Sequence, residues 1–124
     1  MRHHRRFFNI PGHAHELTFS CYRRYPFLNS ERTCWWLAES IATAREKYRF
    51  SVWGYVFMPD HVHLVVYPSR SDFDLSLVLK DIKQPVARKA MRYLEQNASD
   101  WLDRVTRKRG ATHRAIVLAI GWGL

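Results

Sequence analysis

The chain has 124 residues, enough for one domain with a single modest core. Its 47% hydrophobic and 25% charged residues exclude a long disordered polymer. No run approaches the ~20 apolar residues of a membrane span, and the start MRHHRRFFNIPGH lacks the apolar stretch of a secretory signal, so a cytoplasmic protein with no membrane partner is expected. The 20 Lys+Arg against 11 Asp+Glu give a formal charge of +9. Such an excess points to a polyanionic partner, because each neutralised phosphate releases a counterion, and it puts nucleic acid ahead of a membrane surface. Cys21 and Cys34 have no metal-ligand spacing and read as unpaired small residues.

In chain order, residues 1–12 are basic, contain the Pro11-Gly12 turn signal, and read as a flexible arm. His15 to Tyr22 (HELTFSCY) alternates as a first strand, with Leu17, Phe19 and Cys21 on the face of His15. Arg23 to Asn29 is a loop, and Asn29 or Ser30 can cap a first helix that runs to Tyr48. Its apolar positions Leu37, Ile41, Ala44 and Tyr48 recur at helical spacing. Phe50 to Met58 (FSVWGYVFM) is aromatic and β-branched, as a strand should be. Trp53 and Tyr55 within it are expected in the core, with stacking on unpaired bases as the other reading.

Pro59-Asp60 breaks that strand, and His61 to Tyr67 (HVHLVVY) forms the next, as an antiparallel hairpin. A second helix is expected from about Leu75 to Gln96, burying Leu75, Leu79, Ile82, Val86 and Met91, kinked or split by Pro85. Trp101 to Lys108 reads as a short helix and Arg114 to Ile120 as a last strand or tail. The order β-α-β-β-α(-β) is that of an α+β, ferredoxin-like antiparallel sheet with helices on one face and the other face open. The domain proper then spans residues 13–96, followed by a tail over 97–124.

Side chains two apart on a strand share a face, so His61 and His63 lie together, opposite Val62, Leu64 and Val66. The aliphatics should pack under the helices, which puts both imidazoles on the open face. Two neutral imidazoles can bind one divalent cation, with a third ligand from elsewhere; otherwise they are a surface pair on an amphipathic strand. A metal there would stabilise the charge that develops on a phosphodiester. His15, also on a strand, is a further candidate to approach that metal.

The string MPDHVHLVV resembles the histidine-hydrophobe-histidine motif of the single-tyrosine HUH transposases, a family that includes the REP-associated tyrosine transposases. The resemblance runs from HELTFS through FSVWGYVFMPDHVHLVVYP to LSLVLKDIKQPVARKA, roughly residues 13 to 95. It implies a ferredoxin-like catalytic domain in which His61 and His63 hold Mg or Mn. It also implies a tyrosine that attacks single-stranded DNA to form a 5′-phosphotyrosine, usually in a homodimer acting on hairpin-forming DNA ends.

The family's tyrosine lies on a helix downstream of the histidine pair, where this chain has only Tyr67 and Tyr93. Tyr67 shares the histidine strand, a poor position for in-line attack. Tyr93 lies on the second helix with Gln96 one turn later. In part of the family a glutamine one residue further from the tyrosine helps bind the metal, so Gln96 is the candidate third ligand. Tyr93 either serves as the nucleophile or packs at the helix end. REP-associated members carry their tyrosine in a later segment with an Asn-Pro pair and a tryptophan, and the ending RGATHRAIVLAIGWGL does not resemble it. A C-terminally shortened member, frameshifted near residue 110, is the expectation.

Candidate DNA-contacting residues are Arg5 and Arg6 in the arm and Lys80, Lys83, Arg88, Lys89 and Arg92 along the second helix, with Arg104, Arg107, Lys108 and Arg109 as a further cluster. Each of them is otherwise part of a solvated face. Two functions follow from these readings. One is transposition through metal-dependent cleavage and rejoining of single-stranded DNA; the other is a degenerate domain that grips DNA or RNA without cutting it.

Overall fold

The structure is a computed structural model and describes residues 12–97, Asp100, and the backbone of 106–109 and 112–115. The element order is β1 (His15–Ser20), two short 3₁₀ turns (Tyr22–Arg24 and Phe27–Asn29), α1 (Glu31–Tyr48), β2 (Phe50–Phe57), β3 (His61–Pro68), α2 (Leu75–Asn97), β4 (Thr106–Arg109) and β5 (Thr112–Ala115). The α+β, antiparallel architecture expected from the sequence is present. β3 is central in a three-stranded sheet of order β1-β3-β2. Its register pairs Phe19 with Val62 and Leu17 with Leu64 on one side, and Phe57 with Val62 and Tyr55 with Leu64 on the other.

The sheet has two unlike faces because β3 alternates strictly. Val62, Leu64 and Val66 are fully buried and join Leu17, Phe19 and Phe50 in one cluster with Leu37, Ile41 and Ala44 of α1 and Val78, Leu79, Ile82 and Val86 of α2. Removing that much apolar surface from water is the main force holding the helices on this side. His61, His63, Val65 and Tyr67 face the other way and are half-buried.

Each helix starts on a side-chain cap. The Ser30 hydroxyl accepts the Thr33 N–H at 3.2 Å, and Asp74 Oδ1 accepts the N–H groups of Ser76 at 3.0 Å and Leu77 at 3.3 Å. Pro85 does not split α2. A proline has no N–H to give the carbonyl one turn earlier. The carbonyl so freed is Asp81 O, and the Ser40 hydroxyl of α1 lies 3.4 Å from it while making its closer bond, 2.6 Å, to the neighbouring Ile82 O.

Three expectations need correction. Met91 is only half-buried, and Ala90 takes the buried position one residue earlier. Thr106–Arg109 is a strand, not part of a helix, and pairs with Thr112–Ala115 as a separate two-stranded sheet rather than adding a strand to the main one. Trp53 and Tyr55 are not core: they are 63% and 64% exposed. β2 is an edge strand, and a bulge between Val52 and Gly54 puts Trp53 outside the regular pairing. No described helix is long and apolar enough to cross a membrane.

Candidate metal and DNA-binding face

The turn Met58–Asp60 delivers His61 to the start of β3, closed by the Met58 N–H on His61 O at 2.8 Å. Alternation then places His63 beside it, with ring centroids 4.9 Å apart and planes 82° to each other. Each imidazole is held through Nδ1. His61 Nδ1 lies 2.8 Å from Asp60 Oδ1, while His63 Nδ1 lies 3.3 Å from Thr18 Oγ1 and 3.6 Å from Glu16 Oε1. With Nδ1 engaged, the nitrogen on the far side of each ring, Nε2, is the atom for a metal. An oxygen on the other nitrogen is how ligating histidines are usually oriented. The donor set therefore fits a divalent ion at His61 and His63. Among the described residues no group of three His, Cys, Asp or Glu side chains is arranged to hold one, so a third ligand has to come from another type of group or from outside them.

Asp60 is itself anchored. Arg24 Nε donates to Asp60 Oδ2 at 2.9 Å and its Nη1 donates to Ser20 Oγ at 3.1 Å. The hydrogen bond to His61, helped by the Arg24 charge, holds the Asp60 carboxyl below its ordinary range. Arg23 and Arg24 both sit at positive φ, 52° and 59°, a conformation that side chains other than glycine adopt at some cost. The 3₁₀ turn carrying them is tied to the histidine turn by Cys21 N–H on Asp60 O at 2.8 Å, and the next turn by Leu28 N–H on Pro59 O at 2.9 Å. Burial pushes the Cys21 thiol up to about 11, so it is an inert core group at pH 7.

Sequence reasoning found the histidine pair but missed Asp60, Arg24, Thr18 and Glu16. The signals were present. Asp60 directly precedes His61, and Glu16 and Thr18 are the polar positions of the alternating first strand. The reach of Arg24 across 36 positions to Asp60 had no local signature.

The other site candidates distribute unevenly. His15 pairs with Val66 and so belongs to the helix-covered face, with its Nε2 buried; it does not approach His61 and His63. Lys83 is 3% exposed rather than on a solvated face, with its ammonium 5.0 Å above the Phe19 ring: its place on α2 is among the core positions Leu79, Ile82 and Val86. Lys80, Arg88, Lys89 and Arg92 lie along α2 outside that core, and Lys89 reaches Glu39 of α1 at 3.3 Å. Tyr93 packs on α1, edge-on to Trp36 with centroids 6.2 Å apart and under the Arg32 guanidinium at 4.2 Å. Gln96 is exposed near the end of α2. Tyr67 stays on the histidine face, in a parallel stack with Trp53 at 4.8 Å. Arg5 and Arg6 lie outside the described residues, as does Arg104; the side chains of Arg107, Lys108 and Arg109 lie outside them too.

Compared with known families, residues 10–106 match the description of the IS200-like transposases. The chain belongs to that family. Among solved structures it is similar to a REP-associated tyrosine transposase bound to a REP hairpin, with a TM-score of 0.62 at 23% identity over 73% of this chain and 53% of that one. It is also similar to a protein of Deinococcus radiodurans R1 described as a transposase, with a TM-score of 0.56 at 16% identity over 74% of this chain and 67% of that one. At such identities the likeness establishes the fold. The family member spans about half the length of the REP-associated protein. No curated protein matches it.

Proposed function

We propose that this transposase-family chain binds single-stranded or hairpin DNA on the open face of its sheet and cleaves and rejoins it through a phosphotyrosine, as a homodimer. His61 and His63 would hold Mg or Mn, with Gln96 as a third ligand supplied by the second copy, because α2 of the same copy packs on the opposite face of the sheet. The observation that carries the reading is the orientation of both imidazoles, on one open face, each held through Nδ1 by an oxygen of the chain itself. The +9 charge and the family supply the DNA.

A divalent ion held there supplies charge stabilisation to the phosphate oxygens. The chain's own residues do the rest. Asp60 and Arg24 fix the His61 ring and Thr18 orients His63, while Lys80, Arg88 and Arg92, on the helix layer behind the sheet, add to the positive field that draws the strand in. A tyrosyl oxygen bonds to phosphorus as the bond to the 3′ oxygen breaks, and the departing oxygen leaves as a hydroxyl. Rejoining is the reverse step. Tyr93 is the candidate nucleophile, and since α2 packs behind the sheet it would act on a strand held by the other copy of the homodimer.

A second reading, DNA binding without cutting, is favoured by the packing of Tyr93 against Trp36 and Arg32 on α1. Covalent trapping separates the two. The protein is mixed with labelled single-stranded hairpin DNA and Mn or Mg and run on a denaturing gel. The proposal expects a shifted band that disappears in His61→Ala and in Tyr93→Phe. A band kept in Tyr93→Phe but abolished in Tyr67→Phe moves the nucleophile to Tyr67. Absence of any adduct with salt-sensitive binding intact establishes the binding-only reading.

A further inference from the structure

We infer that Trp53, backed by Tyr67, is a stacking platform for an unpaired base of the DNA strand whose phosphate lies at the histidine pair. The inference rests on the proposed function and adds a base subsite to it.

Three observations lead there. Trp53 is 63% exposed, an unusual placement for the largest apolar side chain, and it sits at the bulge of an edge strand, so neither core packing nor strand pairing accounts for it. Its ring is nevertheless ordered by a parallel stack on Tyr67, at 4.8 Å between centroids and 4° between planes. One face of the indole is thus covered by the phenol and the other is presented outward, the arrangement a planar base would extend. Finally, Tyr67 is four residues beyond His63 on β3, on the same face, about 13 Å along the strand. A strand running along β3 from a phosphate at His61 and His63 would bring a flanking base, rather than the reacting nucleotide, over Trp53.

Charge decides the occupant. The patch is continuous with the histidine face of a chain carrying +9, which suits a polyanion bearing π-faces better than a second, equally basic copy of the same chain. Tyr55 is as exposed, at 64%, but it pairs opposite Leu64 and lies against Phe57 rather than Tyr67, so it is the internal control.

The test compares binding of the full chain, without metal, to an oligothymidylate and to an abasic strand of the same length, by fluorescence anisotropy. Wild type is expected to favour the base-bearing strand about tenfold, the order of one stacked base. Trp53→Ala should bring that ratio close to one without weakening the abasic complex, Trp53→Phe should retain most of it, and Tyr55→Ala should leave it unchanged. A preference that survives Trp53→Ala overturns the platform. So does a Trp53→Ala variant that only dissociates a dimer in sedimentation, which assigns the patch to a second copy. Salt-sensitive binding with no base preference in wild type overturns the platform alone. Absence of salt-sensitive binding to either strand overturns the proposed function as well.

Discussion

The two faces of β3 are built from the same eight residues and obey different rules. On the helix side, Val62, Leu64 and Val66 are held by burial, and nothing there is available to a ligand. On the open side, His61 and His63 are held by directed polar contacts to Asp60 and Thr18, with the Glu16 carboxylate 3.6 Å from His63, and Tyr67 by a ring stack. Burial tolerates many sequences of similar volume, whereas the open face depends on particular atoms. Stability and function are therefore expected to separate cleanly between alternate residues of one strand.

The largest effect should come from crossing that divide. Leu64→Ala should cost about 2–5 kcal/mol in urea unfolding, the range for emptying a well-packed core position. His63→Ala, one residue away, should stay within about 1 kcal/mol of wild type and abolish metal binding. Similar destabilisation in the two variants would break the distinction.

Asp60→Asn sharpens it on the open side. Removing the carboxylate that fixes His61 should weaken metal binding by about 10- to 100-fold in a calorimetric titration, with little change in the unfolding midpoint. An unchanged metal affinity would mean that Asp60 does not orient the ring.

How far the two faces are legible in the sequence follows the same divide. Leu17, Phe19, Val62, Leu64, Leu79 and Ile82 announce their side by period alone, and His61-Val62-His63 announces the opposite face by the same rule. Lys83 and His15 escape it because a charged or polar side chain at a buried register breaks the correlation that the rule uses. Trp53 escapes it because a bulge at a sheet edge exposes an aromatic that composition assigns to the core. The Arg24–Asp60 ion pair and the Ser40 hydroxyl on the α2 carbonyls are long-range, and no local pattern encodes them.

On the helix layer, the Asp81 carboxyl is held below its ordinary range, first by the Tyr48 hydroxyl and then by Lys47 at 3.0 Å. A depressed folded-state pKa contributes stability above the unfolded value, about 3.9, and that contribution disappears as pH falls through the lower folded value. Asp81→Asn should therefore be less stable than wild type at pH 7, with the gap closing below about pH 4. A gap that widens on acidification would contradict the assignment.

The smallest expected effect concerns α2. Arg88→Ala combined with Arg92→Ala should lower affinity for single-stranded DNA and reduce the salt slope by about 0.7 for each phosphate that is no longer neutralised. Lys83→Met should leave that slope unaltered, because Lys83 is buried over Phe19. Equal slopes in the two variants would show that the two arginines are not on the DNA path.

The most direct test of the open face as the metal-binding face is paramagnetic broadening by Mn in the NMR spectrum of the whole chain. His61, His63, Thr18, Glu16 and Asp60 should broaden first, Val62 and Leu64 should follow only by proximity, and the pattern should vanish in His61→Ala. Broadening centred elsewhere, or broadening that survives His61→Ala, would contradict a metal held by the histidine pair.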